Sequence, residues 1–164
     1  MRLRLASTAL FALLLASLPL GAADVPIHDE QGAGAESPLA GQTVPTTGIV
    51  TALRTNGFYL LAPDAEADAD PTTSEGVLVF TSSAPPAVAA VGSRVRVTGR
   101  VVEYRPSADP ASPPLTEIGG SVSVALLSAG YPLPAPALLN SADLSPAGPA
   151  GRLERYEGMR VHVP

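Results

Sequence analysis

From Asp24 to Pro164, no run of ten residues shows the three-to-four spacing of an amphipathic helix. Prolines interrupt the stretches that come nearest to it. Ala84–Val91 is the single place for a short helical segment, and Pro85 and Pro86 restrict that to about a turn. What remains is two-residue alternation. A chain that buries side chains with that period builds sheets, so an all-β fold is expected.

The alternation can be followed along the chain. Thr46–Thr55 sets Ile49, Thr51 and Leu53 against Val50, Ala52 and Arg54. Asn56-Gly57 is the dipeptide of a type I′ hairpin turn, so Gly57–Ala62 should return antiparallel. Val77–Thr81 is a third strand. Arg94–Tyr104 is a long fourth one, with Val95 and Val97 facing opposite to Arg94, Arg96 and Thr98, and with Gly99 marking a bulge. Leu115–Ile118 and Ser121–Leu127 read as a fifth strand kinked at Gly119-Gly120. A short strand is also expected at Val25–His28, and Met159–Val163 reads as the start of another. Five coiled strands with glycines at the bends suit a five-stranded, OB-like Greek-key barrel. An open β-sandwich of six or seven short strands is the alternative.

The first twenty-three residues have a different purpose. Arg2 and Arg4 precede the apolar run Leu5–Leu18, and the small residues Gly21-Ala22-Ala23 follow, which is the layout of a secretory signal peptide. A membrane anchor fits less well, because the run is short and carries Pro19. Cleavage after Ala23 would leave a secreted or periplasmic chain of 141 residues, with no membrane attachment. Eight arginines and no lysine would then face fifteen acids, a formal charge of −7. The expected layout is a signal peptide over 1–23, a lead-in over 24–41, the barrel over 42–130, and a Pro-rich extension over 131–164 that begins a further strand.

Composition excludes much chemistry. The chain has no Cys, which removes disulfides, thiolate metal sites and thiol catalysis. Missing Lys removes Schiff bases and the lysine of a phosphate loop, and only two His remain.

Several segments follow one another in a telling order: HDEQG from His28, SPL at Ser37–Leu39, GQTV at Gly41–Val44, GIVTA at Gly48–Ala52 and GFYL at Gly57–Leu60. DADPTTSEGVLVF at Asp68–Phe80, VGSRVRVTGRVVEY at Val91–Tyr104, LTEI at Leu115–Ile118, PLPAP at Pro132–Pro136 and YEGM at Tyr156–Met159 complete the series. In order and spacing this series resembles the N-terminal OB-fold-like module of secreted bacterial nucleases. In that family the module precedes a catalytic domain of the endonuclease/exonuclease/phosphatase type. The resemblance implies a nuclease domain as partner. The metal-binding acids and catalytic His of such a domain have no counterpart in these residues, so catalysis is expected to lie elsewhere in a longer chain.

Two groups of residues are candidates for binding. Arg94, Arg96 and Arg100 on the fourth strand, with Arg105 beyond it and Arg54 nearby, form a basic row. Phe58, Tyr59 or Tyr104 could supply stacking, a mixture with which OB barrels hold DNA or RNA single strands. An ordinary polar outer face is the competing explanation. The second group is the acidic loop with Asp64, Glu66, Asp68, Asp70 and Glu75, whose spacing could present oxygens to Ca²⁺. Counted as an EF-hand loop from Asp64, Glu75 fits position twelve, whereas Ala69 stands where Gly is needed. Solvation of a hairpin loop explains the same acids. His28-Asp29 with His162 lacks ligand spacing, Glu103 and Glu117 could pair across strands, and no Gly-x-Ser-x-Gly elbow is present.

These observations lead to an accessory module of an extracellular nuclease that binds nucleic acid or positions the catalytic domain. A structural domain packing on a partner, with an apolar patch around Leu138–Leu139, is the alternative. An enzyme in its own right is a third reading without a catalytic constellation to support it.

Overall fold

The computed structural model describes residues 22–145 and 152–164. The expected signal peptide lies almost wholly outside the described residues, as does part of the Pro-rich segment.

Five strands carry the fold: β1 (Thr43–Arg54), β2 (Gly57–Leu61), β3 (Gly76–Phe80), β4 (Arg94–Tyr104) and β5 (Leu115–Ser128). They form one sheet in the order β1-β2-β3-β5-β4, and β4 pairs back onto β1. All contacts are antiparallel except the β3–β5 seam, a short parallel ladder of Leu78 with Glu117 and Val79 with Ile118. The alternation on β4 is as the sequence requires, with Val95 and Val97 fully buried and Arg94 and Arg96 on the other face. Gly99 marks a register shift against β5. A Cβ there would press on Ile118, which explains the glycine at the bend.

The β1–β2 hairpin forms, but not through the expected turn. Arg54 pairs with Gly57, so Thr55 and Asn56 make the two-residue turn. Neither Asn56 nor Gly57 has positive φ, so the type I′ geometry is absent. Gly57 serves another purpose: a side chain there would collide with the Val79 carbonyl across the sheet.

The expected strand at Val25–His28 is instead mostly a short helix, α1 (Ile27–Gln31). Val25 is in no strand, although its N–H donates to the Pro45 carbonyl of β1 at 2.8 Å. Pro26 has φ −58°, suited to a helix start, and its carbonyl accepts from Glu30 N–H. The helix thereby drops Ile27 into the core with Val50, Phe58, Leu60, Val77, Val79, Val95, Val97 and Ile118. Burial of these side chains is the main stabilising term.

The C-terminal extension packs against the barrel. Strands β6 (Ala137–Leu138) and β7 (Val161–His162) pair in parallel. Between them a 3₁₀ turn at Glu154–Tyr156 leads to Gly158, whose backbone lies directly on Gly76 at the start of β3. Glu157 secures this contact: its carboxylate accepts from Thr116 N–H at 2.8 Å, and its carbonyl from Ser74 Oγ at 2.6 Å.

Candidate nucleic-acid interface

Arg94, Arg96 and Arg100 share the outward face of β4, and acids from other segments engage the first two. Arg94 forms an ion pair with Glu66 at 2.6 Å and lies 5.9 Å above the Tyr131 ring. Arg96 pairs with Asp24 at 2.7 Å and donates to the Ala22 carbonyl. Arg105 reaches Glu36. Arg100 and Arg54 are exposed. Alternation puts Arg94 and Arg96 on one face, but acids from the lead-in and from the acidic loop neutralise them there. Phe58 is the clear correction: it is fully buried among the core valines and leucines and cannot stack on a base. Tyr59, the next residue, is half-buried on the opposite face of β2.

Arg54 does enter a concave site. A cleft of about 270 Å³ is lined by Arg54 and Asn56 of the β1–β2 turn, Leu78 and Phe80 of β3, Tyr104 at the end of β4, and Leu115 and Glu117 of β5. It lies over the parallel β3–β5 seam. Tyr104 pairs with Leu115, and the two bracket the Pro-rich loop 105–114. The cleft thus sits between the β1–β2 turn and the β4–β5 loop. It combines two aromatic rings, an apolar contribution from Leu78 and Leu115, one cation and one amide. Burial pushes the Glu117 carboxyl above the ordinary carboxylate range, and the Arg54 charge opposes that rise. Phe80, Asn56, Leu78 and Leu115 escaped the sequence reading because it contains no sign of a parallel pairing between β3 and β5. The available signal was modest: aromatic residues at strand ends beside a loop that cannot be regular.

The acidic residues also separate. Asp64 accepts from Ala135 N–H, Glu66 holds Arg94, and Asp70 accepts from the Thr72 amide and hydroxyl. They do not converge into an EF-hand-like shell. Only Asp68 and Glu75 come together, joined by His28 rather than by another acid. His28 does not meet His162 in that group. Glu103 and Glu117 do not form a carboxylate pair either. Glu103 stands opposite Thr116 and bonds its hydroxyl, while Glu117 stands opposite Val102, so the two carboxylates lie on opposite faces of the sheet.

No family model matches the chain, and no curated protein matches it. Among solved structures, an aspartyl tRNA synthetase from Entamoeba histolytica is similar at 20% identity with a TM-score of 0.40, over 70% of this chain. The match spans 23% of the synthetase chain, so this chain corresponds to less than a quarter of it.

Proposed function

We propose that this chain is a secreted accessory module of an extracellular nuclease, an OB-type barrel that holds a single strand of DNA or RNA for an adjoining catalytic domain. The observation that carries the reading is the cleft between the β1–β2 turn and loop 105–114, with Arg54, Phe80 and Tyr104 around it. OB barrels bind oligonucleotides between these same two loops. The strand order β1-β2-β3-β5-β4 is that of an OB barrel. The series of segments from His28 to Met159 supports the link to nucleases, and the layout of residues 1–23 supports export.

In this mechanism Tyr104 and Phe80 offer π-faces to one or two bases, Asn56 can hydrogen-bond a base edge, and Arg54 takes a phosphate. Stacking on an aromatic side chain contributes about 1–3 kcal/mol per base. Arg54 is the one cation lining the cleft, which implies a shallow salt dependence, with a slope on the order of −0.7 per phosphate contact. The acidic surface keeps intrinsic affinity low, and attachment to a catalytic domain compensates by raising the effective concentration.

The test is fluorescence anisotropy with labelled single strands of about ten nucleotides at low salt. Binding that weakens in Arg54→Ala and Tyr104→Ala, and persists in Arg96→Ala, is expected. A second reading, a barrel that only packs on a partner domain, draws on exposed Leu138 (62%), although Leu139 beside it is buried, and on Leu126 and Leu127 at the far end of β5 from the cleft, which are 47% and 51% exposed. It predicts no binding to any strand at low salt.

A further inference from the structure

A second assembly lies at the β2–β3 connection, which joins the opposite end of β2 from the β1–β2 turn that borders the cleft. His28 on α1 meets Asp68 and Glu75 of the acidic loop. His28 Nδ1 is 3.1 Å from Glu75 Oε1 and 4.0 Å from Asp68 Oδ2, and the three ligand atoms all fall within 4.8 Å of one another. Donors bound to one ion at about 2.0–2.2 Å are separated by roughly 3 to 4.4 Å, from neighbouring to opposite positions. The observed separations match that range with small side-chain adjustments.

The donors are also held by their surroundings. Asp68 N–H donates to Glu75 Oε1 at 2.7 Å, and Thr73 Oγ1 donates to the Asp68 carboxylate at 3.1 Å. The side chains of His28 and Glu75 are 15% and 12% exposed, whereas Asp68 is more open at 28%. Asp68 and Glu75, though not His28, line a solvent-open cleft of about 240 Å³, so an ion could be reached from the carboxylate side; Arg155, which also lines it, is paired with Asp143.

We infer that His28, Asp68 and Glu75 form a binding site for a borderline divalent cation, of which Zn²⁺ is the type, that ties α1 to the β2–β3 loop. The donor chemistry selects this class. An imidazole with two carboxylates suits Zn²⁺ or Mn²⁺, whereas Ca²⁺ needs six to eight oxygens. Asp64, Glu66 and Asp70 cannot supply the missing oxygens, because each is engaged elsewhere. The ion would occupy the space now spanned by the hydrogen bond between His28 and Glu75. Its role is structural: it joins segments whose ligands lie 47 residues apart at His28 and Glu75 and fixes the lead-in against the barrel.

The experiment uses untagged protein, stripped with EDTA, and titrates ZnCl₂, MnCl₂ and CaCl₂ while following the unfolding temperature and the heat of binding. One Zn²⁺ per chain is expected, with a midpoint that climbs with metal concentration as binding to the folded state requires. His28→Ala should abolish the response. Because that substitution also removes a packing contact, Asp68→Asn is measured in parallel, on an exposed loop where folding is not at risk. It should weaken Zn²⁺ by at least about tenfold, the scale on which loss of one polar group at a metal site acts. His162→Ala should leave the response unchanged. Absence of a Zn²⁺ response, an equal response in His28→Ala, or a response to Ca²⁺ alone would overturn the inference.

Discussion

Glu30 is the most improbable side chain in this core, and its removal makes a quantitative prediction. It belongs to α1, is 0% exposed, and neither carboxylate oxygen has a hydrogen-bond partner. Burial pushes its carboxyl up to about 8, from an ordinary value of 4.5. In the folded chain the group therefore keeps its proton at neutral pH, whereas in the unfolded chain it is ionised. Below pH 4.5 both states hold the proton and there is no penalty. As pH rises from 4.5 towards 8, folding has to take up a proton, so stability falls by about 1.4 kcal/mol per pH unit. At pH 7 the accumulated penalty is about 3 kcal/mol. Glu30→Gln is nearly isosteric and cannot ionise, so its stability relative to the native chain should rise by about 2–3 kcal/mol between pH 5 and pH 7. Glu30→Met also removes the unpaired polar atoms and should be more stable still, by about 1–3 kcal/mol. The assay is urea denaturation from pH 5 to 8.5, followed by circular dichroism in metal-free buffer. Other titrating groups are common to all three proteins and cancel in the differences. Parallel stability profiles for the native chain and Glu30→Gln across that window would refute the reasoning, as would destabilisation by Glu30→Met at pH 7.

Three further outcomes follow from the packing and the cleft. Phe58→Ala should cost about 3–5 kcal/mol in denaturant unfolding, since the ring is fully enclosed by core aliphatics; a loss under 1 kcal/mol would place the ring at the surface. Gly76→Ala would set a Cβ 2.6 Å from the Gly158 carbonyl and the Met159 amide. It should therefore speed hydrogen exchange in residues 154–159 while β4 stays protected; unchanged exchange there would contradict the docking. Glu117→Gln removes an acid from the cleft and should tighten single-strand binding several-fold at pH 7. In the native chain, affinity should fall as pH rises through the elevated Glu117 range; a pH-independent affinity would place Glu117 outside the interface.

The strands were legible in the sequence because their signal is local. Arg94–Tyr104 shows its faces in alternating Val and Arg, and the hairpin shows in the short gap between two β-rich runs. Three features were not legible, for physical reasons. The α1 segment is five residues, too short for periodicity, and its helical course depends on Pro26 and on a core socket for Ile27. Phe58 and Tyr59 are adjacent, so one of them must face inward, and only the closure of the sheet decides which. The cleft and the His28 assembly both join residues far apart in sequence, and neither the parallel β3–β5 seam nor the path of the lead-in is encoded in local spacing. The acidic loop shows the same limit from the other side. Its regular spacing suggests convergence, but each carboxylate takes the nearest donor, whether a backbone amide, an arginine or a threonine.

The central claim is that a single strand lies over the β3–β5 seam, and site-resolved photo-crosslinking tests it most directly. A 5-bromouracil-substituted ten-nucleotide strand would be irradiated with the protein at low salt and the adducts located by mass spectrometry. The account predicts adducts at Tyr104 and Phe80, lost on competition with unlabelled strand and reduced in Arg54→Ala. Adducts confined to the Arg94, Arg96 and Arg100 face, or no adduct at any residue, would contradict it.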